Sequence, residues 1–321
     1  MRHQPLGSSG LVVSAVGLGC NNFGMKLDQA GTTAVVDAAI EAGISLFDTA
    51  DSYGGDAGPG TSETMLGEAL KGRRDEVLIA TKFGNPRAEL NGTHWGARGS
   101  RRYVRKAIDA SLKRLRTDYV DLYQLHFWDG VTPLEETLAA LGELVTEGKV
   151  RYLGSSNLKA WQLVDCDWHA RTTHTERFVS AQDHYSLLER DVEAEVVPAC
   201  LAHGIGLLSY FPLANGLLTG KYRRGAVAPE GTRLAGGRFA DWLTEERVEV
   251  VESLVAYAQE RGVEVLDVAI GGLAAQPAVG SVIAGATTPE QVRRNAQAGA
   301  WRPTAEDLVA LDEVVPARRP A

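Results

Sequence analysis

The sequence predicts an α/β fold, a (β/α)8 TIM barrel with an N-terminal β-hairpin cap, and three observations predict it. From residue 15 onward short apolar runs alternate with longer amphipathic stretches, glycine often marks the changeover, and eight of the runs qualify as strands. A helix inserted between successive strands returns the chain for a parallel crossover, so the repeat reads as a parallel sheet. A chain of 321 residues, 44% hydrophobic and 23% charged, suits one large barrel, and no linker or low-complexity segment interrupts it. A single domain over residues 1–321 is therefore expected.

Ahead of the first barrel strand, Gln4 to Val13 reads as a small hairpin turning at Ser8-Ser9-Gly10, placed to plug the bottom of the barrel. The strands run Ala15 to Gly19, Ile44 to Asp48, Val77 to Lys82, Val120 to His126, Val150 to Ser155, Phe178 to Gln182, Gly206 to Tyr210 and Gly280 to Ala284. The helix over Thr32 to Glu41 closes at Ala42-Gly43 and that over Ser62 to Leu70 at Lys71-Gly72, where glycine suits the left-handed residue that ends a helix. Between the seventh and eighth strands there is room for a long loop and two helices. The run Arg98 to Arg116 holds eight basic residues against Asp109 alone, but Ile108, Leu112 and Leu115 recur at helical spacing, so a solvated helix face is the better reading than a nucleic-acid surface. A short helical pattern, Ala305 to Val314, is expected to pack under the barrel.

A net charge of −8 disfavours nucleic acid and points to small-molecule partners. Three scattered cysteines, Cys20, Cys166 and Cys200, make no disulfide framework. The start lacks the apolar core of a signal peptide, and no run approaches the roughly 18 apolar residues of a membrane span, so a cytoplasmic protein without a membrane partner is expected. Oligomerisation is left open. His169 and His174 lack the spacing of a helical zinc pair, and no metal is expected.

Four ionisable groups fall at or just beyond the carboxyl ends of successive strands, where parallel barrels place their chemistry: Asp48, Tyr53, Lys82 and His126. Each alone has a plainer explanation, as a cap, a loop aromatic, a neutralising cation or a core histidine. Their convergence on one face favours catalysis. A carbonyl that accepts hydride becomes an alkoxide and needs a proton and hydrogen bonds at its oxygen. Tyr53 is the candidate acid; a phenol of ordinary pKa about 10 would be lowered by a neighbouring Lys82 ammonium, which Asp48 keeps charged and aimed. His126 would orient the carbonyl or relay the proton.

With these residues in place the chain resembles the aldo-keto reductases, from the hairpin to about Ala298. The family tetrad maps onto Asp48 and Tyr53 in D-T-A-x-x-Y, Lys82 in A-T-K-F-G and His126 in D-L-Y-Q-L-H. The resemblance implies a nicotinamide-dependent barrel that reduces aldehydes or ketones, with Tyr53 as acid in reduction and base in reverse.

Gly17-Leu18-Gly19 begins like a dinucleotide fingerprint, but Asn22 stands where the third glycine is required, so the cofactor must be held by barrel loops. The resemblance implies that Asn21 and Asp48 line the cofactor, that Ser156, Asn157 and Gln182 bind the nicotinamide carboxamide, and that Tyr210 stacks on its ring. It assigns Phe211, Pro212, Leu213, Gly220 and Lys221 to the pyrophosphate, with Phe211 in place of the usual serine. Gly285, Gln291 and Asn295 fall to the adenosine, and Thr287 and Arg233 to a 2′-phosphate. NADPH is the expected cofactor and NADH the alternative, because Gly285-Ala286 stands where some members carry Lys-Ser and Arg294 where many carry Glu. Substrate contacts are expected from Tyr53 and His126 with the loop aromatics Phe23, Trp95 and Trp128. Since some relatives of this architecture are cofactor-sensing subunits with little turnover, that role is the alternative function. A barrel isomerase or lyase would lack the Ser-Asn, Gln and Tyr series.

Overall fold

The structure, a computed structural model, describes all residues except 88–89, 231 and 317–321. The hairpin is β1 (His3–Pro5) paired antiparallel with β2 (Val12–Ser14). Eight parallel strands follow: β3 (Val16–Gly19), β4 (Leu46–Asp48), β5 (Leu78–Phe83), β6 (Val120–Leu125), β7 (Val150–Ser156), β8 (Phe178–His184), β9 (Gly206–Tyr210) and β10 (Val279–Gly285). They close in chain order, with β10 pairing back onto β3. All eight coincide with the sequence-derived runs, with ends displaced by a residue or two.

The helices are α1 (Gln29–Glu41), α2 (Thr61–Ala69), α3 (Arg101–Leu115), α4 (Leu134–Thr146), α5 (Ala160–Thr173), α6 (Val196–His203), α7 (Glu245–Glu260), α8 (Val265–Ala274), α9 (Pro289–Ala298) and α10 (Ala305–Val314). Gly43 and Gly72 take φ of +77° and +82° just beyond α1 and α2, the stop signals read from the sequence. The basic face of α3 is solvated, as expected, and is also paired: Arg101 and Arg105 bind Glu143 of α4, Arg105 reaches Glu147, and Arg116 meets Glu68 of α2. The tail helix corrects expectation. α10 runs up the outside of the barrel along α7, because Tyr257 and Arg261 anchor Asp307 near its start while Arg190 holds Asp312 and the Val315 carbonyl at its end.

The hairpin does plug the barrel floor. Leu6 is fully buried with Leu46, Ala80, Leu122, Leu208 and Ile283 in a cluster separate from the outer core. A Cβ at Gly206 or Gly280 would lie 2.6 or 2.4 Å from Leu6 Cδ1, so both strands need glycine where this side chain enters. Burying such a leucine contributes about 1.5–3 kcal/mol. These inward residues also set what stands above them. Strand side chains alternate, so the next inward position after Leu46, Ala80 and Leu122 is Asp48, Lys82 and Gln124. The apolar layer thus becomes a polar layer one step nearer the carboxyl ends of the strands.

Candidate active site

Lys82 is the centre of that polar layer and is completely buried. Its Nζ donates to Asp48 Oδ2 at 2.6 Å, to the Thr49 carbonyl at 2.9 Å and to the Tyr53 hydroxyl at 3.3 Å. Asp48 is bound on its other oxygen as well, where Gln182 Nε2 donates at 2.8 Å and Gln124 Nε2 at 3.2 Å. A buried ammonium and a buried carboxylate are tolerable only when paired and hydrogen-bonded, which both are. Burial alone would depress the lysine pKa; Asp48 and Tyr53 outweigh it and hold Lys82 above its ordinary value, hence charged.

Tyr53 meets the edge of His126 with ring centroids 6.0 Å apart. Its pKa moves opposite to the sequence expectation: burial raises it by more than the Lys82 ammonium lowers it, with Asp48 adding to the rise. The phenol therefore keeps its proton throughout the physiological range. His126 is pushed well below its usual 6.5, first by burial and then by Lys82, so the imidazole is neutral. Asn85 Nδ2 lies 3.5 Å from His126 Nδ1. An amide nitrogen can only donate, so this long contact suits the tautomer in which Nδ1 accepts and Nε2 carries the proton.

Asn157, in left-handed conformation at φ +58°, ties this site to the next strands. Its Nδ2 donates to the His126 carbonyl at 3.1 Å and to Ser156 Oγ at 2.9 Å, and its Oδ1 accepts from the Tyr210 hydroxyl at 2.8 Å. Ser156 Oγ donates onward to the Gln182 carbonyl at 2.8 Å. Tyr210 has one ring face covered by His184, stacked at 5.4 Å.

Beyond Tyr210 the backbone turns repeatedly through positive φ, at Phe211 (+52°), Ala214 (+46°), Asn215 (+59°), Gly216 (+96°) and Gly220 (+72°). Pro212 is buried and Leu213 half-buried between them. Successive turns of this kind present N–H groups as an anion-binding concavity. Lys221 folds over this loop; its Nζ would lie 3.4 Å from a Cβ at Gly216, so glycine leaves it room. Arg233 reaches Asn215 Oδ1 at 3.4 Å and Asn22 Oδ1 at 3.3 Å. Burial and the nearby charges of Lys26 and Arg233 depress the Lys221 pKa, the mark of cations gathered around an anion site. Asn215 Nδ2 is buried without an acceptor. This donor-rich loop fits a dinucleotide phosphate. Asn21 and Asn22 face Gly285 across the mouth, and Thr287 donates to Gln291 Oε1 at 2.8 Å through its N–H at the start of α9. Asn295 is buried one turn further along.

The three aromatics expected to contact substrate divide. Phe23 is sealed in the core at 0% exposure and offers no surface to a ligand, because the first loop folds it inward against the barrel wall. Trp95 stands 79% exposed under Arg102, and Trp128 is half-exposed with Nε1 donating to the Thr132 carbonyl at 2.7 Å. Sequence reasoning missed Gln124, Asn85, His184, Asn22 and Lys26. Gln124 was findable, standing two residues before His126 on the same inward face; the others belong to contacts that only the fold creates. Among the described residues no group of three His, Cys, Asp or Glu side chains could hold a metal ion, and no helix is long and apolar enough to cross a membrane.

The aldo/keto reductase family model matches residues 15–316. The chain is 37% identical to the uncharacterized oxidoreductase YrpG of Bacillus subtilis (strain 168), over 98% of this chain and 96% of the relative. It is 34% identical to a probable voltage-gated potassium channel subunit beta of Arabidopsis thaliana, covering 93% of this chain and 91% of that protein. Protein tas of Escherichia coli (strain K12) is 33% identical, with 98% and 97% covered.

Proposed function

The chain belongs to the aldo/keto reductase family, and we propose that it reduces aldehydes or ketones to alcohols with NADPH, Tyr53 supplying the proton. The observation that carries this reading is the Tyr53 hydroxyl held 3.3 Å from a lysine that is itself locked to Asp48. When bound along the mouth, a nicotinamide dinucleotide would supply hydride for the carbonyl carbon. As the carbonyl π pair moves to oxygen, Tyr53 gives that oxygen its phenolic proton, and Lys82 stabilises the phenolate left behind until solvent reprotonates it. His126 Nε2–H gives the same oxygen a second hydrogen bond without adding charge. Burial leaves the phenol protonated and ready to donate, while the Lys82 ammonium works against that rise and stabilises the phenolate that forms.

Ser156, Asn157 and Gln182 border the place a nicotinamide would occupy, with the uncovered face of Tyr210 against its ring. Lys221, Lys26 and Arg233 suit the phosphates, and their shared positive charge supports NADPH over NADH. We read the whole chain as one barrel domain acting on a small carbonyl compound, in a cytoplasm where its three buried thiols stay reduced. The test is oxidation of NADPH at 340 nm with an activated aromatic aldehyde, on the wild type and on Tyr53→Phe. Turnover by the wild type alone, with NADPH binding retained by both, supports the reading.

The channel-subunit relatives favour a second reading, a nicotinamide-sensing subunit with little turnover. Tight NADPH binding with no reduction across a broad carbonyl panel would favour it, and failure to bind the cofactor would sink both.

A further inference from the structure

Asp51 lies two residues before Tyr53 but belongs to a different network. Its N–H donates to the Lys82 carbonyl at 3.0 Å, pinning it to the strand that carries the catalytic lysine. Its Oδ2 accepts from Asn91 Nδ2 at 2.8 Å, and the same amide lies 3.4 Å from the Tyr103 hydroxyl on α3. Asn91 anchors the stretch 90–98, which lies in the connection between β5 and α3 and carries the exposed Trp95. Arg102 further steadies that stretch by donating to the Thr93 carbonyl at 2.9 Å, and the His94 ring meets Tyr103 edge-on. Asp51 thus joins the Tyr53 loop, the 90–98 stretch and α3.

The atoms this contact leaves over are informative. Asp51 Oδ1 and Asn91 Oδ1 are both buried and both without a partner. As two acceptors they cannot satisfy one another, and each is costly to bury unmet. One proton on Asp51 Oδ1 would change this: the carboxylic acid could then donate to Asn91 Oδ1 while its other oxygen kept the Asn91 amide, a reciprocal pair of hydrogen bonds.

We propose that Asp51 and Asn91 form a proton-dependent latch that makes Asp51 a positioning residue, holding the 90–98 wall of the substrate cleft against the loop that carries Tyr53. Protonated, the pair closes through two hydrogen bonds; ionised, it keeps one. The surroundings keep the proton within reach. Burial, then the Glu63 carboxylate of α2, push Asp51 up from 3.8 to about 7, while Arg114 of α3, the Asn91 amide and the Ser52 N–H oppose that rise. Glu63 itself is committed to Arg114 at 2.6 Å and Thr81 at 2.5 Å. Tyr103 of α3, with Arg98 nearby, and Tyr123 of β6 face the pair as phenols raised above their ordinary value by burial and then by Asp51. Asp51 is therefore the group of this cluster that changes charge near neutrality.

The kinetic consequence rests on the reductase reading, but the latch can be tested without turnover. Amide hydrogen exchange over residues 90–98 should be measured at pH 6 and pH 8, corrected for intrinsic rates, on the wild type, Asp51→Asn and Asn91→Ala. Wild-type protection should fall roughly tenfold at the higher pH, the scale of one buried hydrogen bond. Asn91→Ala should be poorly protected at both. Asp51→Asn, which can form the reciprocal pair as two amides, should be protected equally at both. Wild-type protection that ignores pH, or the same pH dependence in Asp51→Asn, overturns the latch. With an active carbonyl substrate, wild-type KM should rise above pH 7 at constant kcat and NADPH affinity, and Asp51→Asn should flatten that rise; a merely structural Asp51 would leave the KM profile unchanged. If the exchange pattern holds while no carbonyl is reduced, the latch stands and the reductase reading fails.

Discussion

Asp48 ends β4 and Asp51 stands three residues later in the loop that follows; both are buried, yet the structure treats them in opposite ways. Asp48 accepts from a lysine and two glutamines; Asp51 accepts from a single asparagine side chain and keeps one oxygen unmet. The difference teaches what each is for. A carboxylate enclosed by donors is a fixed charge that aims Lys82 at Tyr53, whereas one with a single neutral side-chain donor is close to taking a proton. Preorganisation and switching are thus built from the same residue type, separated by how many N–H groups the fold directs at it.

Breaking the first arrangement should have the largest effect. Lys82→Met removes the cation beside Tyr53 and leaves Asp48 buried against amides alone. Turnover should drop by about 10²–10⁴, the range for a lost acid–base component. Breaking one partner of a buried pair typically costs about 3–5 kcal/mol of stability. Asp48→Asn in the same background should recover part of that stability and none of the turnover. Urea unfolding alongside the 340 nm assay reads both; full stability in the single mutant would show that the pair does not lock the site.

The second arrangement should appear as a slope in stability against pH. Asp51 has an ordinary pKa of 3.8 and a folded value of about 7. Between those values the folded protein holds a proton that the unfolded chain has released, so stability falls as pH rises from about 4 to 7 and stays low above it. At about 1.4 kcal/mol per unit the ceiling is about 4 kcal/mol, and relaxation with water entry should reduce it to about 1–3 kcal/mol. Asp51→Asn should therefore stabilise the protein at pH 8 and change little at pH 4.5. Asp183 of β8, also raised to about 7 by burial and with Oδ2 unmet, should leave a residual slope until it too is replaced. A slope unaltered by Asp51→Asn would mean that the proton is not held there.

How much of this was legible in the sequence follows from the same physics. Alternation along a strand is a local rule, so Asp48, Lys82 and His126 can be placed at strand ends, and all eight strands with them, from the order of residues alone. Lys221 is assigned through the family resemblance of its loop, because a glycine-containing loop with a lysine reads equally well as plain surface. The Asp51–Asn91 contact spans 40 residues, Arg233 to Asn22 spans 211, and no periodicity connects such pairs. Phe23 shows the reverse failure: an aromatic in a mouth loop reads as a substrate wall until the fold turns it into the core. The Tyr53 pKa goes opposite to the sequence expectation because its sign depends on burial outweighing one nearby charge, a balance that only three-dimensional packing sets.

The smallest expected effect compares two lysines in the same way. Lys82 is already neutralised by Asp48, so a bound anion should leave its protonation unchanged. Lys221 is different: burial, Lys26 and Arg233 depress its pKa, and a phosphate placed among them would reverse the charge contribution and raise it. As the pH approaches the depressed Lys221 pKa, binding of NADPH should therefore draw in a fraction of a proton. Calorimetric titration at pH 9 in two buffers of different ionisation enthalpy measures that fraction directly. Lys221→Gln should abolish it and weaken NADPH by about tenfold, the size of one charge-assisted contact to phosphate. Equal heats in both buffers for the wild type would place the phosphates away from Lys221 and leave the depressed lysine without this role.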